Sequence, residues 1–253
     1  MGLVELDSHF ELLAHGVVFS DPLLIVSVLL RSKPKFESRF HVVHLVSSFV
    51  DPSVELPLAK ACKLGSMALL NRILDSQALL QSSHEDLPWS IRSLMLSQAH
   101  YQKIQVALSL LEAAKRRDLE MTTWLFEHFR GFAVPQSVVK EAAAAGASEL
   151  LEYYLDYDIN ARSADEYSDE ERDLSRPVAW GGTDAADAIR AGHRNIAAWM
   201  YRYVYVDHRD EVGTLKAAVA TGDVQMVEML QEELDMDCDR GIQEAAANGH
   251  LDM

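Results

Sequence analysis

Large apolar residues in this chain fall at helical spacing. From residue 57 onward they recur at i, i+3, i+4 and i+7 in short runs, most of them preceded by small residues and a glycine. Leu69, Leu70, Ile73 and Leu74 form one run, and Leu150, Leu151, Tyr154 and Leu155 another. Ile196, Trp199 and Met200, then Val224, Val227 and Leu230, repeat the pattern. Such spacing gathers the apolar side chains on one stripe of an amphipathic helix, which needs a neighbour to bury it.

The stretch before each run is equally regular. An alanine stands four residues before a glycine at Ala61…Gly65, Ala142…Gly146, Ala188…Gly192, Ala218…Gly222 and Ala245…Gly249. Alanine is the best helix former and keeps a helix thin enough for close packing. Glycine supplies the left-handed turn that ends it. A sixth copy, Ala113 to Leu119, has Arg117 at the glycine position. There the chain must either force arginine into a left-handed conformation or replace the turn with continuous helix. The long helical pattern from Trp89 to Arg117 favours the second. The anchors at 65, 117, 146, 192, 222 and 249 lie 52, 29, 46, 30 and 27 residues apart. Three intervals suit one helix pair, and two are stretched by inserts. Neither helix of a pair buries its apolar face alone, whereas stacked pairs do. The expected fold is all-α, a helix-pair solenoid.

Residues 1–50 are expected to form an N-terminal helical cap of two or three short helices, including Leu23–Arg31, bounded by Pro22 and Pro34, and roughly Arg39–Phe49. Residues 51–253 form the repeat array. Within it Asp75–Pro88 reads as a polar connection, and the segment up to Arg117 either hides a degenerate repeat or lengthens the first helix of the Ala113 unit. The acidic run Ser163–Asp173 reads as a solvated loop. Met253 follows Gly249 by four residues, so the last unit is expected to be incomplete and the chain to be a fragment of a longer array.

These residues resemble the ankyrin repeat, whose core sentence is matched best by Ala245 to Leu251 and Ala188 to Trp199, with Gly-His at Gly192-His193 and Gly249-His250. Leu155 to Asn160 is similar to a shortened form of the family's closing loop, and Asn160 to its modifiable asparagine. The family's Thr-Pro-Leu-His opening survives only as Leu56-Pro57-Leu58-Ala59 and as isolated Thr183 and Thr214, so long hairpin fingers are not expected. Tetratricopeptide-like and HEAT-like helix pairs are the competing architectures. The resemblance implies a protein partner held in a concave groove lined by the two residues before each glycine. Those are Lys63 and Leu64, Lys115 and Arg116, Ala144 and Ala145, Arg190 and Ala191, Ala220 and Thr221, and Ala247 and Asn248. It also implies that His193 and His250 tie neighbouring repeats.

Charge sharpens the partner. The chain carries a net charge of −16, which argues against a chain-wide nucleic-acid surface. Lys63, Lys115, Arg116 and Arg190 make the first half of the expected groove basic, so an acidic partner segment is its complement. Cys62 and Cys238 are the only cysteines, too few for a disulfide framework or a zinc cluster, which fits an intracellular, cytoplasmic setting. The longest apolar run, Leu23–Leu30, is too short to span a bilayer and follows Glu5, Asp7 and Glu11, a poor signal-peptide start.

Motifs for chemistry fail on specific residues. His41 and His44 lack a third ligand. Asp235-Met236-Asp237-Cys238-Asp239 opens like a calcium loop but has Arg240 for the turn glycine and Ala246 for the bidentate glutamate. His84-Glu85 has no second histidine, and Gly181-Gly182 no following Lys-Ser/Thr. The expectation is therefore a non-enzymatic protein-interaction scaffold without cofactor, metal or membrane contact. The alternative is a regulatory or targeting segment of a longer enzyme, such as a kinase, whose catalytic domain lies beyond residue 253.

Overall fold

The computed structural model describes residues 22–31, 42–43, 46–47, 50–81, 90–164, 177–206 and 208–234. Among them are twelve α-helices, one 3-10 turn and one isolated bridge, and no strand. The protein is all-α. The chain divides into two compact units, Met1–Gln105 and Val106–Met253.

The first unit holds α1 (Leu24–Arg31), the 3-10 turn Pro52–Glu55, α2 (Leu58–Leu64), α3 (Met67–Gln81), α4 (Ile91–Ser97) and the start of α5 (Ala99–Arg116). Asp51 caps the 3-10 turn by accepting the Ser53 N–H at 2.9 Å, and Arg72 lies 3.3 Å from its other oxygen. Leu58, Ala61, Cys62, Leu70 and Ile73 form the buried seam of α2 and α3. The polar connection expected from Asp75 is still helix as far as Gln81, because no glycine or proline intervenes. Ser76 and Gln77 are buried there, and the Ser76 hydroxyl donates to the Ile73 carbonyl at 2.6 Å. The pattern from Trp89 to Arg117 is broken at Gln98, whose extended backbone separates α4 from α5. Ser90 and Ser93 close a reciprocal capping box at the start of α4, satisfying two amide groups that no helix bond would reach.

The second unit holds the rest of α5, then α6 (Leu119–His128), α7 (Gln136–Ala145), α8 (Ser148–Ala164), α9 (Asp184–Arg190), α10 (Arg194–Tyr203), α11 (Glu211–Ala220) and α12 (Val224–Leu234). Helix α9 packs against α7, α10 and α11, while α8 packs against α7 and α6. Small residues are buried along these helices beside larger ones: Ala142, Ala143, Ala186, Ala188 and Ala218 are fully buried, as are Val138 and Val139. Leu155–Asn160, expected as a closing loop, lies inside α8, which continues to Ala164. With no glycine or proline between Ala147 and Arg176, nothing local ends that helix earlier.

One turn geometry recurs. The amide of the residue after each turn donates to the carbonyl of the anchor alanine: Asp118 to Ala113 at 3.0 Å, Ala147 to Ala142 at 2.9 Å, His193 to Ala188 at 2.8 Å and Asp223 to Ala218 at 3.0 Å. This is the six-to-one bond of a Schellman cap. The left-handed residue is Gly146, Gly192 or Gly222 in three cases and Arg117, at φ 54°, in the fourth. The continuous helix favoured at Arg117 is therefore not what forms, because the two cap bonds hold the turn closed.

Candidate functional site

Loops join the helix pairs of the second unit before any side chain does. Val134 and Val178 form a parallel bridge, in which the Val134 N–H donates to Pro177 at 2.7 Å and the Ala179 N–H to Val134 at 2.9 Å. Farther along, the Asp210 N–H donates to the Gly182 carbonyl at 3.1 Å. The His193 imidazole lies over Gly146, so closely that a Cβ there would come within 2.5 Å of its Cε1. The histidine of the Gly-His pair thus does join one helix pair to the preceding one.

Arg190 is the last residue of α9 and Thr221 caps α11. Helix α9 packs on both α7 and α11, and Lys140 of α7 reaches Asp187 of α9, while Ala144 and Ala145 are the last two residues of α7. Arg190 and Thr221 are exposed, and Ala144 and Ala145 half-buried. The Thr221 hydroxyl donates into its own helix, to Ala217 or Ala218 at 3.0 Å. Lys115 and Arg116 end α5 in the same unit, exposed, and Lys115 is near enough to α7 to feel the charge of Glu141. Lys63 and Leu64 end α2 in the first unit and are also exposed. Asn248 and His250 lie outside the described residues, as do His41, His44, His84, the acidic run from Asp165 and the calcium-like stretch from Asp235.

Ion pairs change the electrostatic reading. Lys115 Nζ sits 2.9 Å from Glu112, and this hydrogen bond raises the lysine pKa. Arg190 lies 2.9 Å from Asp187, whose second oxygen is 3.1 Å from Lys140 Nζ on α7. That last pair lacks hydrogen-bond alignment and is held by charge alone. Two of the cations expected to be available are thus already opposed by a carboxylate. Arg116 and Arg117 have no ion pair among the described residues. Arg117 is a member of the basic surface that its turn position concealed; the unbroken run Lys115-Arg116-Arg117 was the available signal.

Several polar groups of the second unit are buried. Asp184 is fully buried at the start of the helix and accepts the Gly181 N–H at 2.6 Å, leaving its other oxygen without a hydrogen bond. Burial pushes its pKa up to about 6, with Asp187 adding to the rise and the Gly181 amide and Lys140 opposing it. Tyr154 on α8 is also buried; the Thr122 hydroxyl approaches its phenol without reaching hydrogen-bond geometry, and desolvation raises its pKa. Arg209 is a clamp, with its guanidinium 4.2 Å above the Tyr201 ring and donating to the carbonyls of Met200, Tyr201 and Val204. It closes one side of a 350 Å³ open concavity lined by Tyr201, Tyr203, Tyr205 and Val206.

No group of three or more metal-ligating side chains occurs among the described residues, and no helix among them is long and apolar enough to cross a membrane. Compared with protein-family models, curated proteins and solved structures, the chain matches none.

Proposed function

We propose that this chain is a protein-interaction scaffold built as an ankyrin-like helix-pair solenoid, with a partner seated on the ends of the first helices. The observation that carries the reading is the row α7–α9–α11. Helix α9 packs on both of its neighbours, and Arg190 and Ala220, the last residues of α9 and α11, stay exposed. Repeated units of this kind present their helix ends as a continuous surface, and recognition on it is by shape and surface charge. The recurring Schellman turn and the contact between His193 and Gly146 support the same architecture. In this reading the binding surface of the second unit is Lys115, Arg116, Arg190 and Thr221, with no catalytic step; Lys63 and Leu64 belong to the first unit, and Asn248 lies outside the described residues.

The test is affinity capture with the immobilised chain, scored by mass spectrometry, beside a variant carrying Arg190→Glu and Thr221→Arg. Both positions are exposed, so the variant is expected to fold and to lose the captured partner. A wild-type chain that captures nothing reproducibly, or a partner held equally by both, would overturn the reading.

A further inference from the structure

Arg117 occupies a position where glycine is better. It is the only non-glycine residue with positive φ among the described residues, and the three equivalent turns of the second unit use Gly146, Gly192 and Gly222. The left-handed conformation is unfavourable for any side chain with a Cβ. Its side chain is exposed, with no hydrogen bond, ion pair or ring contact among the described residues. The helix macrodipole accounts for cations in the last turn of α5, namely Lys115 and Arg116. It does not account for an arginine placed in the turn itself, since glycine there would leave both of them in position.

We infer that Lys115, Arg116 and Arg117 form the contact point for a short acidic protein segment, with Arg117 kept in a strained turn for its charge. This rests on the interaction reading above and names the chemistry of the partner. Arg116 and Arg117 supply charge that no carboxylate opposes among the described residues. Lys115 joins by exchanging Glu112 for a carboxylate of the partner, a small step because exposed pairs contribute little. Guanidinium groups bind carboxylates through two parallel hydrogen bonds. A short peptide suits the site better than nucleic acid. Glu112 and Glu141 flank the cluster, and a long polyanion would extend past the cluster's own reach, about 8 Å at physiological salt, and lie against a chain of net charge −16.

The test uses the full chain and a short fluorescein-labelled polyglutamate peptide, with fluorescence anisotropy at low salt as the readout. Arg117→Gly is expected to raise Tm and yet weaken peptide binding about threefold, the size of one exposed charge. Arg116→Ser should weaken it similarly, and Lys60→Ser, an equal charge change on exposed α2, should leave it unchanged. Added salt should weaken the wild type more than Arg117→Gly. A more stable Arg117→Gly that binds as wild type would overturn the inference, as would a wild type that ignores the peptide. Oligothymidylate of equal charge binding more tightly than the peptide would also overturn it. The capture experiment above separates these failures: a partner lost with the Arg190 and Thr221 changes but retained by Arg117→Gly removes the acidic chemistry and keeps the scaffold.

Discussion

The turn that ends α5 and the turn that ends α7 make the same two cap hydrogen bonds with different residues at their centres. At Gly146 two constraints coincide: a φ of 77° and the His193 ring pressed against the Cα. At Arg117 only the conformational constraint applies, and the side chain runs into solvent. The hydrogen-bonded shape of the turn thus belongs to the anchor alanine and its neighbours. At Gly146 the histidine of the next helix pair adds a second reason for glycine, whereas at Gly192 nothing lies within 4 Å of where a Cβ would stand and only φ favours it.

Leucine at the anchor should damage both turns alike. Ala113→Leu and Ala142→Leu each force extra methylenes into a site with no exposed surface and are expected to destabilise by about 3 kcal/mol. Chemical denaturation would measure this; a small effect at Ala113 alone would mean that the two turns share a hydrogen-bond pattern but not a packing environment.

Asp184 extends the comparison to α9, where the strained component is a buried charge. Its folded pKa of about 6 lies above the ordinary carboxylate value, so the folded state holds its proton to higher pH than the unfolded chain. The fold carries no penalty from this group below about pH 4 and loses stability as pH rises through 6, by up to about 3 kcal/mol. Stability measured across that window should fall for the wild type, and Asp184→Asn should flatten the slope. A wild-type curve that rises instead would show that another group dominates.

Gly146→Ala should be next in size, with about 2 kcal/mol lost to strain and to the histidine contact. Adding His193→Ala should return the contact share, so a double-mutant cycle would show coupling. Additive effects would place the histidine elsewhere in solution. The smallest effect is a gain: Arg117→Gly is expected to stabilise by about 1 kcal/mol, and a loss in thermal melting would mean that the arginine makes contacts the fold needs.

The legible parts of this fold are those whose cause lies within a few residues. Ala-x-x-x-Gly marked the turns because helix propensity and left-handed φ are properties of single positions, and the Gly192-His193 pair announced the contact that His193 makes. Helices α3 and α8 ran past their expected ends because polar residues such as Ser76 suggested a loop, although nothing in either stretch forbids helix. The charge of the expected groove was half legible. Glu112 with Lys115, and Asp187 with Arg190, are i, i+3 pairs that helical spacing alone brings together. Lys140 with Asp187 joins two helices 47 residues apart in sequence, and no local rule identifies that partner.

The amino-acid sequence by itself determined the all-α character, the anchor alanines and the positions of the turns, since these follow from backbone preferences acting over at most five residues. Only the tertiary structure decided that Arg117 adopts the turn rather than extending the helix, that Asp184 is sealed from water, and which cations stay unopposed. The Arg117 turn is closed by bonds within its own helix end. The sealing of Asp184 and the pairing of Lys140 with Asp187 depend instead on what another helix brings alongside, and the free energy of a buried or paired charge is set by that neighbour rather than by the residue itself.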